Sequence, residues 1–387
     1  MDETSGVNTP IFFNKPYIAG KELYYIAQAV LSNRHISGDG GYTKKCQYWL
    51  ENTLGTPRAL LTHSCTAALE MSALLCDIGP GDEVIMPSFT FVSTANAFVL
   101  RGGVPVFVDI REDTLNMNEA FLADAITERT KAIVPVHYAG TACDMKVILA
   151  LAADKGLRVI EDAAQALLST YEGKHLGTIG DLGCLSFHET KNIISGEGGA
   201  LLVNDPELIE RAEIIWEKGT DRRRFFRGQV DKYSWVDIGS SYLPGDIIAA
   251  FLYAQLEMAE TIISARRTLL KAYMEGLGDL EKMGRIRLPF IDPASVTNGH
   301  IMYMITDSLD ERSRLMEFLR QRLIMTVFHY VPLHASPMGR KHCRTSGEIS
   351  VTERMSDRLV RLPMYYEMET GDVERVVDGI RDFYRSE

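Results

Sequence analysis

The sequence lacks an excess of positive charge and any paired-cysteine motif. Its 52 Asp and Glu residues outnumber its 41 Lys and Arg residues, which gives a formal net charge of −11. A nucleic-acid surface needs clustered basic residues, so we expect no nucleic-acid partner. The six cysteines lie far apart, without a CxxC pair or the Cys/His spacing of a zinc site. These absences predict reduced cysteines and no bound metal.

Long apolar runs are also missing. No segment approaches the roughly 20 apolar residues that span a bilayer, and residues 1–4 lack the basic-then-apolar build of a signal peptide. We therefore predict a cytoplasmic protein with no membrane partner. One basic run, Arg222 to Arg224 with Arg227, is either a solvated loop or a contact for an acidic partner, such as a diphosphate or a neighbouring subunit.

What the sequence does contain is a series of short apolar or β-branched runs, the pattern of strands buried on both faces. Helical stretches separate the first five runs, and this alternation predicts parallel βαβ units. The fold class is therefore α/β, with a mostly parallel seven-stranded sheet between helices. The predicted strands are residues 59–64, 83–88, 104–110, 132–137, 158–161, 183–188 and 199–204, and the predicted helices are residues 66–75, 93–101, 117–128 and 144–155.

The pattern changes beyond residue 238. One long helix is predicted over residues 247–276, followed by a strand at 300–306, a helix at 311–323, a strand at 325–331 and two helices ending at Phe383. A chain of 387 residues exceeds the roughly 250 to 300 residues at which single cores stop growing. We therefore expect a large α/β domain with an N-terminal arm at 1–248, and a linking helix with a small α+β domain at 249–387.

Ligands of open parallel sheets bind beyond the carboxyl ends of the strands, and the first polar motif lies at such an end. Residues 64–68 (SCTAA) join the first strand to a helix. Backbone N–H groups and the positive dipole end of a helix N-terminus favour a phosphate. Ser and Thr are also ordinary helix caps, so this motif alone predicts either feature.

The second motif, residues 161–165 (EDAAQ), ends the fifth strand. A carboxylate such as Asp162 needs a cationic partner, and a protonated pyridine nitrogen is one. Two charges about 4 Å apart at an effective dielectric near 20 interact by roughly 4 kcal/mol, or about three pKa units. That is enough to keep such a ring protonated at neutral pH. The alternative is an Asp that caps the next turn.

The third motif contains Lys191, in residues 186–192 (SFHETKN), and is followed by residues 195–199 (SGEGG). A partly buried lysine loses proton affinity and becomes a nucleophile for a carbonyl, whereas most lysines stay exposed and the glycines alone could form a simple hairpin. The three motifs occur in this order, each at a strand end. Together they predict a pyridoxal phosphate site in which Lys191 binds the cofactor as a Schiff base.

The sequence resembles the DegT/DnrJ/EryC/StrS family of sugar aminotransferases over nearly its whole length. Within the family, the sequence most resembles one group of members. This closer resemblance rests on residues 38–41 (GDGG), 86–97 (MPSFTFVSTANA), 135–140 (PVHYAG), 187–192 (FHETKN) and 226–233 (FRGQVDKY). The resemblance implies the fold type I architecture of pyridoxal phosphate-dependent aminotransferases. It also implies a homodimer whose active sites are shared across the interface.

The resemblance further implies a role for each motif. Lys191 would bind the cofactor, Asp162 would pair with its ring nitrogen, and Gln165 would lie against its ring hydroxyl. The residues expected at its phosphate are Thr66, Ala67 and Ser186.

Two further cofactor contacts follow from the resemblance. An aromatic side chain of residues 86–97 would stack on the ring, and the family pattern favours Phe91 over Phe89. Ser241 stands where many relatives have an Asn that reaches the cofactor phosphate of the partner subunit. A shorter hydrogen bond or a bridging water would then replace the Asn contact.

The substrates implied by the resemblance are L-glutamate and a nucleotide-linked keto sugar, dTDP-4-keto-6-deoxyglucose. Each candidate sugar or diphosphate contact is also a residue type that often satisfies only a local hydrogen bond. These candidates are His137, Tyr138, Arg227, Gln229, Lys232, His329 and Tyr330. His188 is interpreted as a structural residue at a strand end.

Three other functions can be compared with this prediction. Related sugar dehydratases carry His where this chain has Lys191, which argues against dehydration. A non-catalytic regulator would not need Asp162, Gln165 and Lys191 together. A dinucleotide site is not supported, because residues 38–41 follow a helical stretch and lack GxGxxG spacing.

Overall fold

A computed structural model describes residues 9–386 of the chain. Residues 1–4, used above in the signal-peptide argument, and the outer ends of the two predicted domains therefore lie outside the described residues. The α-helices are α1 Glu22–Ala27, α2 Gly41–Leu54, α3 Cys65–Leu75, α4 Val92–Val99, α5 Leu122–Ala125, α6 Met145–Lys155, α7 Ile209–Trp216, α8 Arg222–Phe226, α9 Asp246–Leu256, α10 Ala259–Lys282, α11 Leu309–Gln321, α12 Pro337–His342, α13 Ser350–Arg358 and α14 Thr370–Ser386. The strands are β1 Arg58–Thr62, β2 Glu83–Pro87, β3 Val104–Val108, β4 Thr130–Ile133, β5 Arg158–Asp162, β6 Thr170–Tyr171, β7 Lys174–His175, β8 Leu182–Ser186, β9 Gly199–Val203, β10 Ser295–Val296, β11 Tyr303–Ile305, β12 Arg344–Thr345 and β13 Leu359–Arg361.

The main sheet has the strand order β1-β9-β8-β5-β4-β2-β3-β12. Only β9 runs antiparallel to its neighbours, so the α/β fold with a mostly parallel sheet is confirmed. All seven strands predicted for this sheet are present, but the sheet has an eighth strand and the predicted number of seven is wrong. Strand β12 has 2 residues and comes from the C-terminal part of the chain. A pattern of apolar runs does not detect so short a strand.

A buried carboxylate holds β12 against the sheet. Arg344 donates from Nε and Nη2 to the two carboxylate oxygens of Glu83, at 3.0 and 2.7 Å. Arg129 and Thr127 donate to the same carboxylate at 2.6 and 2.7 Å. The Arg344 hydrogen bond, helped by Thr127 and Arg129, lowers the pKa of Glu83 to about 2. This cluster therefore stabilises the charged carboxylate at neutral pH.

Glu83→Gln is expected to lower the free energy of unfolding by about 3 kcal/mol at pH 7, because it removes the charge of a buried carboxylate that accepts hydrogen bonds from Arg344, Arg129 and Thr127. The depressed pKa makes this contribution complete above the unfolded pKa of about 4.3. The difference between variant and wild type should shrink as the pH falls from there toward about 2. Urea unfolding between pH 3 and 8 measures it. Glu275→Gln, which removes an exposed pair with Lys271, should cost less than about 1 kcal/mol; equal losses in the two variants would contradict the assignment.

Other predicted elements also differ from the structure. Two helices ending at Phe383 were predicted, whereas the structure has three, α12, α13 and α14, the last of which ends at Ser386. The helix predicted at 247–276 is wrong, because it divides into α9 and α10 with a bend of 58°. No Gly or Pro marks the break, and Glu257 at the break contacts Lys21 and Tyr25 at 3.0 Å. Residues 117–128 form only a 3-10 turn and the short α5. Residues 325–331 form no strand and pair only at Val327, with Arg361.

Separate apolar clusters cover the two faces of the sheet, and a third lies in the C-terminal part of the chain. Helix α10 takes part in two of them: Ile262 and Ile263 pack beneath the sheet, whereas Leu269 and Leu270 pack in the third cluster. We therefore propose that the two domains meet within α10. Over residues 9–386, no single helix is long and apolar enough to cross a membrane, and α9 with α10 reaches that length only as a bent pair.

Candidate active site

A cavity of about 500 Å³ opens where the carboxyl ends of β2, β5 and β8 meet the start of α3. Phe13 and residues from the C-terminal part of the chain close it. We call this cavity the cleft. The predicted site residues that line it are Thr66, Phe91, Asp162, Gln165, Ser186, Lys191, His329 and Tyr330.

Lys191 lies in the hairpin between β8 and β9. Backbone hydrogen bonds from Phe187 to Gly198 and from Glu189 to Gly196, both 2.8 Å long, fix the base of the hairpin. The Lys191 amine has no hydrogen-bond or ion-pair partner within residues 9–386. Burial lowers its pKa, because desolvation disfavours the ammonium form. An amine in this state is suited to attack a carbonyl carbon.

Glycine at position 199 places the start of α3 beside this hairpin. A Cβ on Gly199 would lie only 2.4 Å from the carbonyl carbon of Ser64 and 2.5 Å from the backbone nitrogen of Cys65. Any larger residue would therefore push the helix away. The absence of a side chain brings the N-terminus of α3, a favourable position for a phosphate, next to Lys191.

Of the three residues predicted to bind the cofactor phosphate, Thr66 and Ser186 line the cleft and Ala67 does not. The Thr66 hydroxyl lies 2.8 Å from that of Ser93, and both residues line the cleft together with Ser186. Ala67 is buried, and its N–H donates to the Ser64 side chain at 3.1 Å. The helix cap uses this donor in the structure, and the Ala67 contact with the phosphate stays a prediction. Thr66 and Ser186 remain as candidates.

The Asp162 carboxylate is fixed by two hydrogen bonds. Thr94 donates from its hydroxyl to Oδ2 at 2.7 Å, and the backbone N–H of Ala164 donates to Oδ1 at 3.2 Å. The hydroxyl of Thr90 lies 2.8 Å from that of Thr94 and extends the network. In residues 9–386 no Lys, Arg or His forms an ion pair with Asp162. Thr94 was missed from the sequence, although it lies within the segment 86–97.

Gln165 and two aromatic residues, Phe91 and Tyr330, line the same cleft as Asp162. The Gln165 side chain accepts a hydrogen bond from the N–H of Ala139 at 2.7 Å and donates to the Tyr330 hydroxyl at 2.9 Å. Phe91 is 58% exposed and lines the cleft, whereas Phe89 is 1% exposed. This difference supports the preference for Phe91 as the stacking residue.

Two histidines of the C-terminal domain face the cleft in the neutral form. Asn192 donates from its amide to the carbonyl of Asn298, which directs its oxygen toward Nδ1 of His300 at 2.9 Å. The His300 proton therefore lies on Nδ1. His329 Nδ1 lies 3.0 Å from the Tyr138 hydroxyl. Burial lowers the pKa of both histidines well below the ordinary value, so both are neutral at pH 7. His300 was missed from the sequence.

His137 and Tyr138 are buried and do not line the cleft, so the structure contradicts their predicted role as substrate contacts. His137 is fully buried, with Nε2 at 2.8 Å from Glu161 and Nδ1 accepting from the N–H of Cys143 at 3.2 Å. Both ring nitrogens are therefore used inside the protein. Tyr138 is also buried, and its hydroxyl supports His329 from beneath the surface of the cleft.

The remaining predicted residues, Arg227, Gln229, Lys232 and Ser241, are exposed and do not line the cleft of their own chain. Arg227 lines a separate cavity of about 800 Å³, where it pairs with Glu213 at 2.5 Å. The basic run therefore contacts acidic residues of its own chain. The pairs are Arg222 with Glu217, Arg223 with Asp39 and Glu213, Arg224 with Glu210, and Arg227 with Glu213.

The cleft fits pyridoxal phosphate on the evidence of its unpaired groups. Lys191 provides an amine without a partner for the aldehyde, and Asp162 provides a carboxylate without a cation for the ring nitrogen. The hydroxyls of Thr66 and Ser186 and the N-terminus of α3 suit the phosphate. Fold and site together define a pyridoxal phosphate-dependent aminotransferase.

Comparison with known proteins narrows this class. Residues 17–381 match the model of the DegT/DnrJ/EryC1/StrS aminotransferase family. The chain belongs to this family and is a sugar aminotransferase that uses pyridoxal phosphate.

Individual relatives cover almost the full chain. GDP-perosamine synthase of Escherichia coli O157:H7 is 32% identical over 375 residues, 96% of this chain and 97% of the relative. The spore coat polysaccharide biosynthesis protein SpsC of Bacillus subtilis strain 168 is 34% identical over 344 residues, 86% of this chain and 87% of the relative. The aminotransferase TlmJ of Streptoalloteichus hindustanus is 29% identical, with a TM-score of 0.89 and coverage of 98% and 100% of the two chains. The putative sugar aminotransferase Spr1654 of Streptococcus pneumoniae, solved in its PLP-form, is 25% identical, with a TM-score of 0.89 and coverage of 98% and 99%.

Proposed function

We propose that this enzyme is a dTDP-4-amino-4,6-dideoxygalactose transaminase. It transfers the amino group of L-glutamate to C4 of dTDP-4-keto-6-deoxy-D-glucose, and 2-oxoglutarate and dTDP-4-amino-4,6-dideoxy-D-galactose are the products. The single observation that carries the chemistry is the unpaired Lys191 amine in the same cleft as Asp162. The choice of sugar is supported by residues 86–97, 135–140 and 226–233. We assign the reaction to the cytoplasm and its product to cell-surface polysaccharide, such as enterobacterial common antigen or lipopolysaccharide O-antigen.

Different residues of the cleft have different roles in the proposed reaction. Bound pyridoxal phosphate supplies an electron sink for the bond broken at the donor's α-carbon. Lys191 holds the cofactor and, once its amine is released by the donor, moves the proton from that carbon. Asp162, fixed by Thr94, keeps the ring nitrogen protonated. The same groups act in reverse when the amine passes to the sugar ketone.

We also propose a homodimer, because the segment around α8 presents an apolar surface to solvent. Trp235 is 80% exposed, and Phe226 and Ile238 of the same segment are exposed as well. Exposed apolar groups of this size are typical of protein interfaces. We assign the predicted contacts of Arg227, Gln229, Lys232 and Ser241 to the cleft of the partner subunit. A sedimentation mass of one chain would contradict the dimer.

The substrate assignment is tested with a panel of dTDP- and GDP-linked 4-keto-6-deoxy sugars and L-glutamate. We expect the dTDP substrate to react with the highest kcat/KM and to give an axial 4-amine, identified by NMR. The Lys191→Ala variant, assayed in parallel, should form no product. The name of the Escherichia coli relative contains GDP, so preference for the GDP substrate is the main competing outcome. That preference, a C3 amine or an equatorial 4-amine would refute the proposed specificity.

A further inference from the structure

His300 is a cleft residue to which the proposed reaction gives no role. It lies just before β11, is buried, and lines the same cleft as Lys191. Within residues 9–386, only Nδ1 of its ring has a hydrogen-bond partner. Nε2 is therefore available to a group that enters the cleft or moves within it.

The backbone that carries His300 is fixed from two sides. Arg266 on α10 donates from Nη2 to the carbonyl of His300 at 2.8 Å. The amide of Asn298, two residues earlier, donates to the carbonyls of Gln165 and Leu167 at 3.0 and 2.9 Å. The ring of His300 is therefore attached both to α10 and to the segment that follows β5.

Asn192, the residue after Lys191, fixes the tautomer of this ring. Its amide nitrogen donates to the carbonyl of Asn298 at 3.1 Å, so its oxygen is the atom that lies 2.9 Å from Nδ1 of His300. An amide oxygen only accepts hydrogen bonds, so the proton of the neutral ring is on Nδ1. Nε2 then carries a lone pair and acts only as an acceptor.

The Lys191 amine is the donor that matches this lone pair. It is buried in the same cleft and has no hydrogen-bond or ion-pair partner among the described residues. After burial, the charge of Lys191 is the strongest influence that lowers the pKa of His300, so the two side chains are close. They are not hydrogen-bonded in the structure, but the flexible four-carbon stem of a lysine allows the amine to reach Nε2.

Other titratable groups around Lys191 are less suited to hold its amine. Burial lowers the pKa of Lys191, Cys65 of α3 and Asp162 of β5 raise it, and Arg361 of β13 lowers it. Burial raises the pKa of Cys65 well above its ordinary value, so it is a neutral thiol and a weak acceptor. Asp162 is assigned to the ring nitrogen, which is para to the carbon that bears the aldehyde, so a bound ring separates Asp162 from the amine. The Arg361 guanidinium only donates.

The groups that face His300 keep its ring neutral. Its pKa is lowered well below the ordinary value by burial and then by Lys191, Arg266, Arg361 and His329. Among the described residues, none of the groups that shift this pKa is a carboxylate. Nε2 therefore stays an acceptor throughout the neutral pH range.

We propose that Nε2 of His300 accepts a hydrogen bond from the Lys191 amine whenever that amine is not bound to the cofactor, and thereby positions Lys191 to move the proton. His300 is a positioning residue, and Asn192 keeps its lone pair directed into the cleft. The proposal rests on the role of Lys191 in the proposed function and not on the identity of the sugar. Both half-reactions depend on it, because Lys191 moves the proton in each.

The direct test measures the acidity of the Lys191 amine in the pyridoxamine form of the enzyme, in which this amine is free. Brief acetylation from about pH 6 to 11, followed by mass spectrometry of the peptide that contains Lys191, gives the midpoint of its reactivity. An acceptor favours the ammonium form. His300→Phe, which keeps a planar ring without an acceptor, should therefore lower the midpoint by about one pH unit. His300→Gln, whose amide oxygen is an acceptor, should restore about half of this shift.

Single-turnover rates give an independent measurement. In His300→Phe, the rate at saturating substrate should fall by about 10-fold with L-glutamate and with the 4-keto sugar alike. The apparent Kd of each substrate should change by less than about 3-fold, because the groups that bind substrate are intact. Asn192→Leu keeps the ring but releases its Nδ1 proton, so it should lower both rates by about 3-fold and lower the midpoint less than His300→Phe does.

His175→Phe is the matched control, because His175 is a half-buried histidine of β7 whose pKa is also lowered by burial and which lies outside the cleft. It should leave the labelling and both rates unchanged. An unchanged midpoint in His300→Phe would overturn the proposal, and so would a loss confined to one half-reaction, which would indicate a substrate contact. If His300→Phe fails to fold, Asn192→Leu decides, and an unchanged midpoint there would equally overturn the proposal.

Failure of the proposed function gives a different result. The pyridoxamine form is prepared by adding pyridoxamine phosphate, so the labelling requires neither L-glutamate nor a nucleotide sugar. Wild-type enzyme that does not react with these substrates would refute the substrate assignment. The shift of the Lys191 midpoint in His300→Phe would still be expected.

Discussion

Lys191→Ala is expected to abolish covalent attachment of the cofactor and to lower transamination on the order of 10⁴-fold. The physical reason is that one amine both binds the cofactor and moves the proton, and in residues 9–386 no other lysine lines the cleft. Borohydride reduction followed by mass spectrometry measures the attachment, and product formation measures the rate. Wild-type protein should carry the cofactor on the peptide that contains Lys191.

Lys155→Ala, at the exposed C-terminal end of α6, is the control and should behave as wild type. A small primary amine added to Lys191→Ala should restore part of the rate, since the missing side chain leaves room for it. Restoration of this kind would distinguish loss of the amine from loss of the fold. Normal turnover by Lys191→Ala without added amine would refute the assignment.

Asp162→Asn is expected to lower transamination by roughly 10³-fold while the cofactor stays attached to Lys191. The variant keeps the size of the side chain and removes its charge. An interaction of roughly 4 kcal/mol with a protonated ring nitrogen would be lost, which corresponds to the expected change in rate. Single-turnover conversion by L-glutamate measures the effect. The visible absorption of the bound cofactor should persist and shift in its pH dependence.

A matched control for Asp162 is Asp382→Asn, which removes an exposed carboxylate paired with Arg385 near the end of α14. No change is expected there. A rate within about 10-fold of wild type in Asp162→Asn would mean that another group protonates the ring. Complete loss of the cofactor would instead assign Asp162 to binding.

The sequence predicts the centre of this site because its residues lie at the ends of strands. Asp162 ends β5, and Lys191 follows β8 in a glycine-rich hairpin. A parallel sheet brings such ends to one edge, so local patterns and topology are sufficient. The same reasoning predicted the seven longer strands of the sheet, which the structure contains.

Residues that depend on packing between distant segments could not be predicted in this way. Arg361 and His300 reach the cleft only because the C-terminal part of the chain folds against the sheet, and neither lies in a motif that marks it. His137 was misassigned because its strand-end position resembles that of a ligand, whereas Glu161 binds it from within. The break between α9 and α10 is not marked by any Gly or Pro, and the apolar spacing continues across it, so the sequence does not reveal it.

The residues that enclose the cleft come from almost the whole length of the polypeptide, from Phe13 to Arg361. During synthesis, the lysine hairpin and the α/β sheet leave the ribosome well before Arg361 does. The C-terminal residues that close the cleft are therefore synthesised after Asp162 and Lys191. Completion of the cleft is accordingly a late step in maturation, made only when both ends of the polypeptide have been folded into place.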